Sequence, residues 1–277
     1  MGPCRELEKL RLAVVGHVEW VSFLSVAQLP GAGSISQAKA FREEPAGGGA
    51  VAAVQLARLC SRPIKFFTAL GRDGIGEQAA ARLRGLGLDL EIAWREAPTR
   101  RGVSFVDPAG DRAITVIGQR LQPCASDPLP WRHLADCDGV FVTATDASGL
   151  GLCRAAKVLT VTPRLRLAVI AGSGVRCDAL IGSALDPAEQ VGPAGLPHPP
   201  MLRIATEGAA GGWCDPGGRF AAQALPGPLV DSYGCGDSFA AGVTAGLAAG
   251  WHPDKAIALG SQCGAACATL FGPYSAN

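Results

Sequence analysis

Several things are scarce in this 277-residue chain, and each scarcity excludes something. No run of eighteen or more apolar residues occurs, so no segment reads as a membrane-spanning helix. The opening, MGPCRELEKLRLAVVG, has neither the apolar core nor the small-residue cleavage site of a signal peptide, and the expected setting is the cytoplasm. Charged residues make up only 18% and the net charge is +1, which gives no electrostatic case for nucleic acid or a membrane surface as partner. There is no Cys-x-x-Cys, and His17, His133, His198 and His252 stand nowhere near zinc spacing from the cysteines. The ten cysteines are scattered singly apart from Cys263 and Cys267 in GSQCGAACATL, and they read as small buried residues of a reduced protein.

Apolar residues and glycine are plentiful. Hydrophobic residues reach 48%, enough for a substantial core, and the length suits a single α/β domain over 1–277. Short apolar runs alternate with helical patterns, the signature of a mostly parallel sheet with helices on its faces. Residues 10–18, 63–70, 139–145, 178–183 and 201–208 read as strands. Residues 50–60, 76–87, 236–249 and 254–270 read as helices. In the second of these, Ala79, Ala80, Leu83 and Leu86 share one face, with Arg82 and Arg84 exposed. Two β-rich stretches break the alternation: 21–45, and the hairpin pattern RGVSFVDPAGDRAITVIG around DPAGD. They are expected either to meet as a small lid over the ligand-binding end of the sheet or to decorate the surface. The loop PAGLPHPP (193–200) carries no evident chemistry.

The densest chemical signal is DSYGCGDSFAAGVTAGLAAG, residues 231–250. Gly234 and Gly236 permit a tight turn in which consecutive N–H groups point into one space, and the following helix adds its unpaired N-terminal amides. That is a cradle for phosphate. A carboxylate repels phosphate, so Asp237 has two readings. It caps the helix, or it takes a proton from an attacking hydroxyl while the amides of Gly234, Cys235 and Gly236 hold the phosphoryl group. Helix position is expected to depress the pKa of Asp237, and Cys235 has two readings, a small residue standing in for alanine or a thiol made reactive by the helix terminus. The small residues Gly242 and Gly246 predict close packing of this helix.

This segment resembles the C-terminal signature of the ribokinase-like (PfkB-type) carbohydrate kinases through Asp231, Gly234, Gly236, Asp237 and Phe239. The resemblance extends over nearly the whole chain. AGGGAVAAVQLARLC is similar to the family's glycine-rich segment, Gly71, Asp73 and Gly76 to its Gly-x-Asp-x-x-Gly block, DPAGDRAITV to its lid hairpin, and Thr206, Gly208 and Gly211 to its Thr-x-Gly-x-x-Gly. It implies a three-layer α/β sandwich with a mostly parallel central sheet, and a small β-sheet lid from insertions at about 19–45 and 98–119. It implies transfer of the γ-phosphoryl group of ATP to a hydroxyl of a sugar or sugar-like molecule, with Asp237 as base. Thr206, Gly208, Gly211, Ser183 and Asp186 would bind the nucleotide. Mg2+ would be oriented by Asp186 through water, a monovalent cation such as K+ would lie by Asp231, and a homodimer could form through the lid.

Three positions depart from the family pattern. Val21 and Val51 stand where the family has a sugar-binding Asp and Asn, and Ser183 and Asp186 stand where it has Asn-x-x-Glu. The acceptor site is therefore expected to use Glu19, Gly47, Gly48, Gly49, Val51 and Arg101, with His17 and Trp20 nearby. Trp20 and Phe23 are expected to pack the lid or to stack on a base. A nucleoside kinase is the close variant, and a catalytically silent binder of nucleotide or sugar phosphate is the rival. A dinucleotide-dependent oxidoreductase is disfavoured, since GGGAVA follows no strand and no ribose-binding acid lies at the proper offset.

Overall fold

The computed structural model describes residues 5–191 and 195–274. Cys4 and the start of the Pro-rich loop at 193–200 lie outside the described residues. In chain order the strands are β1 (Leu12–Val15), β2 (Glu19–Ser25), β3 (Ala40–Ala46), β4 (Ile64–Gly71), β5 (Leu88–Arg95), β6 (Arg101–Val106), β7 (Arg112–Ile117), β8 (Gly139–Val142), β9 (Val158–Val161), β10 (Ala179–Ser183), β11 (Leu202–Thr206), β12 (Gly212–Asp215) and β13 (Gly218–Phe220). The helices are α1 (Gly48–Cys60), α2 (Gly74–Gly85), α3 (Ala147–Cys153), α4 (Leu167–Gly172), α5 (Cys235–Ala248) and α6 (Pro253–Cys267).

Nine strands form the main sheet in the order β13-β12-β11-β10-β9-β8-β1-β4-β5. It is parallel from β11 to β5, with β12 and β13 added antiparallel at one edge. Successive residues of a strand point to opposite faces, so the buried run LAVV of β1 feeds two cores. Leu12 and Val14 join residues of α1, α2, α5 and α6, while Ala13 and Val15 join residues of α3 and α4. The result is the expected three-layer sandwich. No helix among the described residues is long and apolar enough to cross a membrane.

Small residues set the helix spacing as expected. A methyl on Gly242 would lie 2.8 Å from Cα of Gly260, and one on Gly246 would lie 2.7 Å from Cα of Ala256, so α5 and α6 pack backbone to backbone. Cys263 is buried in this contact.

The apolar run at 10–18 is not one strand. β1 ends at Val15, and β2 starts a different sheet at Glu19. The chain breaks at Gly16, where a methyl would meet Thr143 and Gly49, so the end of the strand is held against the head of α1.

The second sheet has the order β3-β2-β6-β7, joining the two β-rich stretches through the parallel pair β2–β6. Buried Glu44 of β3 ties it to the body. Arg82 of α2 donates to both carboxylate oxygens of Glu44 (2.8 and 2.9 Å), and Arg42 adds a bond of 2.6 Å. Arg82 is thus engaged rather than a free surface charge. Arg42 also donates to the carbonyl of Tyr274 (2.7 Å). Phe23 is buried and packs edge-on against Tyr233 with ring centroids 4.9 Å apart, and Trp20 packs against the main core, neither of them lining the large cavity described below. The Gly71-x-Asp73 block is a joint. Asp73 caps α2 through the Gly76 amide (2.7 Å) and binds the Thr99 amide (2.8 Å), fixing the chain just before β6.

Candidate active site

The head of α5 opens into a cavity of about 1050 Å³ between the small sheet and the ends of the main-sheet strands. Gly234 is left-handed (φ +79°), a conformation open to glycine at little cost, and a methyl there would also lie 2.9 Å from Cγ1 of Val51. Helical bonding begins with the Ser238 amide donating to the Gly234 carbonyl (2.8 Å). The amides of Cys235, Gly236 and Asp237 therefore have no partner further back in the helix. That of Cys235 meets Ser232 O at a long 3.4 Å. Gly234, Cys235, Gly236 and Asp237 all line the cavity.

Asp237 is not a cap. The N-cap is Gly234, without a side-chain bond, and Asp237 lies in the first turn with its carboxylate toward α1. Its pKa is pushed up to about 6, against the depression expected from the helix terminus. Burial raises it most, Glu189 and Glu19 add to the rise, and Arg164 and Arg112 oppose it. Desolvation outweighs the dipole here. The Cys235 thiol also moves upward, through its hydrogen bond with Cys267 and through burial, so it is not an activated thiol.

Several expected residues meet around Asp237. Gly47 (φ +86°) and Gly48 start α1, and a methyl on Gly48 would lie 2.7 Å from Asp237 Oδ1. The Gly47 amide takes the Tyr233 hydroxyl as acceptor (3.1 Å), locking the α1 head to the loop before α5. Glu19 and His17 line the same wall, 3.8 Å apart. Burial raises Glu19, while burial and then Arg120, Arg100 and Arg164 push His17 down to about 3, so the imidazole is neutral. Ser183, Asp186, Thr206 and Gly208 line the cavity from the ends of β10 and β11.

Other expected residues do not line it. Val51 belongs to an apolar cluster with Val21, Phe23, Ala46 and Tyr233, so both valines are core rather than acceptor contacts. Gly49 is pressed against the backbone of Gly16 and His17. Gly211 (φ +87°) closes the turn between β11 and β12, its carbonyl accepting from the Glu207 amide at 2.7 Å. Arg101 is exposed, and Arg100 lines the cavity instead, because adjacent strand residues face opposite ways. Asp231 is fully buried, and its two oxygens accept from the amides of Tyr233 (2.8 Å) and Gly272 (3.1 Å), so it braces this loop outside the cavity lining.

Asp186 caps a short turn through the Ala188 amide (3.0 Å) and pairs with Arg164 (3.0 Å). The acid that electrostatically faces Asp237 is Glu189, three residues on, buried and hydrogen-bonded to Arg164 and to the Ser183 amide. The sequence also gave no warning of Arg100, Arg112, Arg120, Arg164 and Arg166, all of which line the cavity. The available signal was TPRLR directly after the apolar VLTV, which is strand β9. Among the described residues, no three His, Cys, Asp or Glu side chains gather as a metal cage.

Residues 177–277 match the family model described as pfkB family carbohydrate kinase. Over the whole chain the structure superimposes on a Thermotoga maritima ribokinase with a TM-score of 0.72 at 19% identity, covering 95% of this chain and 94% of that one. The fold is ribokinase-like. A Cryptococcus neoformans ribokinase in complex with ADP gives 0.72 at 20% identity, covering 96% of each chain. A Sinorhizobium meliloti adenosine kinase gives 0.71 at 16%, again over 96% of each. No curated protein matches by sequence. The ribokinase-like likeness spans both sheets, whereas the family match covers the segment that carries β10, β11 and the α5 head.

Proposed function

We propose that the chain is an ATP-dependent kinase that transfers a phosphoryl group to a hydroxyl of a sugar or sugar-like small molecule, with nucleosides as the near variant. The observation that carries this is Asp237, a carboxylate facing the same cavity as the helix-head amides of 235–237. A protein that merely binds phosphate gains nothing from an anion there. A transferase needs one, to accept the hydroxyl proton as the new bond forms. Above about pH 6 the Asp237 carboxylate is ionised and ready for that proton. The amides at the head of α5 are fixed donors for the oxygens of the group in transfer, so they need no reorganisation during the step.

Thr206, Gly208, Ser183 and Asp186 support the nucleotide from the β10–β11 end, and the complex of a ribokinase of the same fold with ADP supports a nucleotide as ligand. The donor set fits magnesium only as a nucleotide-borne ion. Asp186 and Glu189 face the cavity but are already bonded to Arg164, so they would reach its water shell, and the ion would offset phosphate charge. The reading includes a monovalent cation such as K+ beside Asp231, whose carboxylate oxygens keep lone pairs beyond the two amides they accept from. The reading includes a cytoplasmic setting and pairing of two copies through the small sheet, whose Phe41, Ile114, Val116 and Ile117 are exposed. Sedimentation showing only monomer at micromolar concentration would remove the pairing.

The test is magnesium-dependent ADP formation across a panel of sugars and nucleosides, followed by Asp237→Asn. Turnover is expected to fall at least about a hundredfold with ATP affinity nearly unchanged. Equal turnover in the variant would remove Asp237 as the base, and no ADP formed with any acceptor would leave the silent binder as the answer.

A further inference from the structure

The cavity is lined by five arginines, Arg100, Arg112, Arg120, Arg164 and Arg166, against four carboxylates, Glu19, Asp186, Glu189 and Asp237. Their pairing is uneven. Arg164 alone takes both Asp186 and Glu189. Arg112 bonds Ser232 Oγ (2.9 Å) and lies over the Tyr233 ring. Arg100 Nε approaches Glu19 to 3.2 Å but at an angle that leaves this buried nitrogen without a hydrogen-bond acceptor. Arg120 donates to a backbone carbonyl, Arg164 O (2.9 Å). Among the described residues, neither Arg120 nor Arg166 has a carboxylate partner.

Arg100, Arg120 and Arg166 are also neighbours. Burial and then the charges of Arg166 and Arg100 lower the proton affinity of Arg120. Arg166 is held at φ +81°, a conformation that side-chain-bearing residues seldom adopt and that tends to persist at functional sites. Among the described residues, Glu19 is the one carboxylate that Arg100 and Arg120 share, so around the half-buried Arg100 and Arg120 positive charge exceeds negative, a cost that a bound anion reduces. The cluster sits on the acceptor side. Arg100 and Arg120 act on His17 and Glu19 and are not among the arginines acting on Asp237, which are Arg164 and Arg112, while Arg164 acts on all three. The nucleotide-side residues come from β10 and β11, which β9 and β8 separate from β1. Buried Val21 and Val51 offer no hydroxyl contacts, which is consistent with an acceptor recognised by charge.

We propose that Arg100, Arg120 and Arg166 form a subsite for an anionic group on the phosphate acceptor, so that the acceptor is a hydroxylated carboxylate or a phosphate ester rather than a neutral sugar. Guanidinium forks bind either group bidentately. The word acceptor rests on the kinase reading above; the anion subsite rests on the arginines alone.

The test is calorimetric binding to the full chain, with and without a non-hydrolysable ATP analogue. The probes are an aldonate, a sugar phosphate, their neutral parent sugars and inorganic phosphate. At least one anionic probe should bind about tenfold or more tightly than its parent, and comparing aldonate with sugar phosphate distinguishes carboxylate from phosphate. Arg120→Met and the exposed Arg166→Gln should each weaken that probe about tenfold while changing affinity for the ATP analogue less than about threefold. Folding of both variants is checked by circular dichroism, and Arg166→Gln, at an exposed position, serves if Arg120→Met does not fold. Neutral parents binding as well as the anions would overturn the proposal. So would variants that lose the ATP analogue instead, since the arginines would then serve the nucleotide. Intact anion binding with no ADP formed from any acceptor would sink the kinase reading and leave the subsite standing.

Discussion

Gly48 at the head of α1 and Asp237 in the first turn of α5 are in contact: a methyl on the glycine would lie 2.7 Å from Oδ1 of the carboxylate. Two segments far apart in sequence thus share one point, and the shape of one helix start sets the position of the other's side chain.

Gly48→Ala should therefore separate activity from stability. The added methyl pushes the Asp237 carboxylate aside, while alanine suits a helix better than glycine by up to about 1 kcal/mol. Turnover is expected to drop about tenfold or more with the melting temperature unchanged or raised. A variant with normal turnover would mean that the carboxylate need not occupy this position.

The pH dependence follows from Asp237. With its pKa at about 6, the acid limb of kcat/KM should fall as pH drops through about 6. Stability has the opposite sign. The folded pKa lies above the ordinary 3.8, so this group's contribution is complete below pH 3.8 and is lost as pH rises through about 6. Asp237→Asn should be more stable than the parent near neutral pH, by up to about 3 kcal/mol, with the gap closing below about pH 4. Urea titrations at several pH values measure this, and a pH-independent difference would contradict it.

Glu189 and Arg164 act on Asp237 with opposite sign. Glu189→Gln removes a negative neighbour, so the acid limb should move below about pH 6. Arg164→Gln removes a positive one and should move it above. Shifts in the same direction for both variants would show that packing, not charge, couples these groups.

Glu44 holds the small sheet to the body. Burial opposes its ionisation, but hydrogen bonds from Arg82 and Arg42 prevail and keep its pKa below the usual carboxylate range. Its contribution is therefore present above the ordinary glutamate pKa and is lost as pH falls through the depressed value. Glu44→Ala removes the acceptor of Arg82 and one of the acceptors of Arg42 and should cost about 3 kcal/mol. The acid limb of the rate profile should stay where it is, since Glu44 does not line the cavity. Little change in urea-induced unfolding would show that the ion pairs are dispensable.

The alternation of apolar runs with helical patterns, the glycines at 242 and 246, and the Gly-Cys-Gly-Asp turn were legible because each is a local pattern with a local cause. The split of residues 10–18 was not legible, because apolar residues lie on both sides of it and the crowding of Gly16 by Thr143 and Gly49 comes from distant segments. Sequence does not separate Arg100 from Arg101, because which side chain faces the cavity depends on strand register, and a shift of one residue inverts it. The bracing role of Asp231 is not legible in sequence, because the amides that donate to it belong to Tyr233 beside it and to Gly272 forty-one residues away.

The sequence by itself determined the layered architecture and the phosphate-cradling turn, since chain periodicity and glycine conformation act over a few residues. Only the tertiary structure decided the charge of the site. Glu189, Arg120 and Arg166 come from separate loops at strand ends, and whether a charge is buried, paired or left over depends on which loops the sheet order brings together.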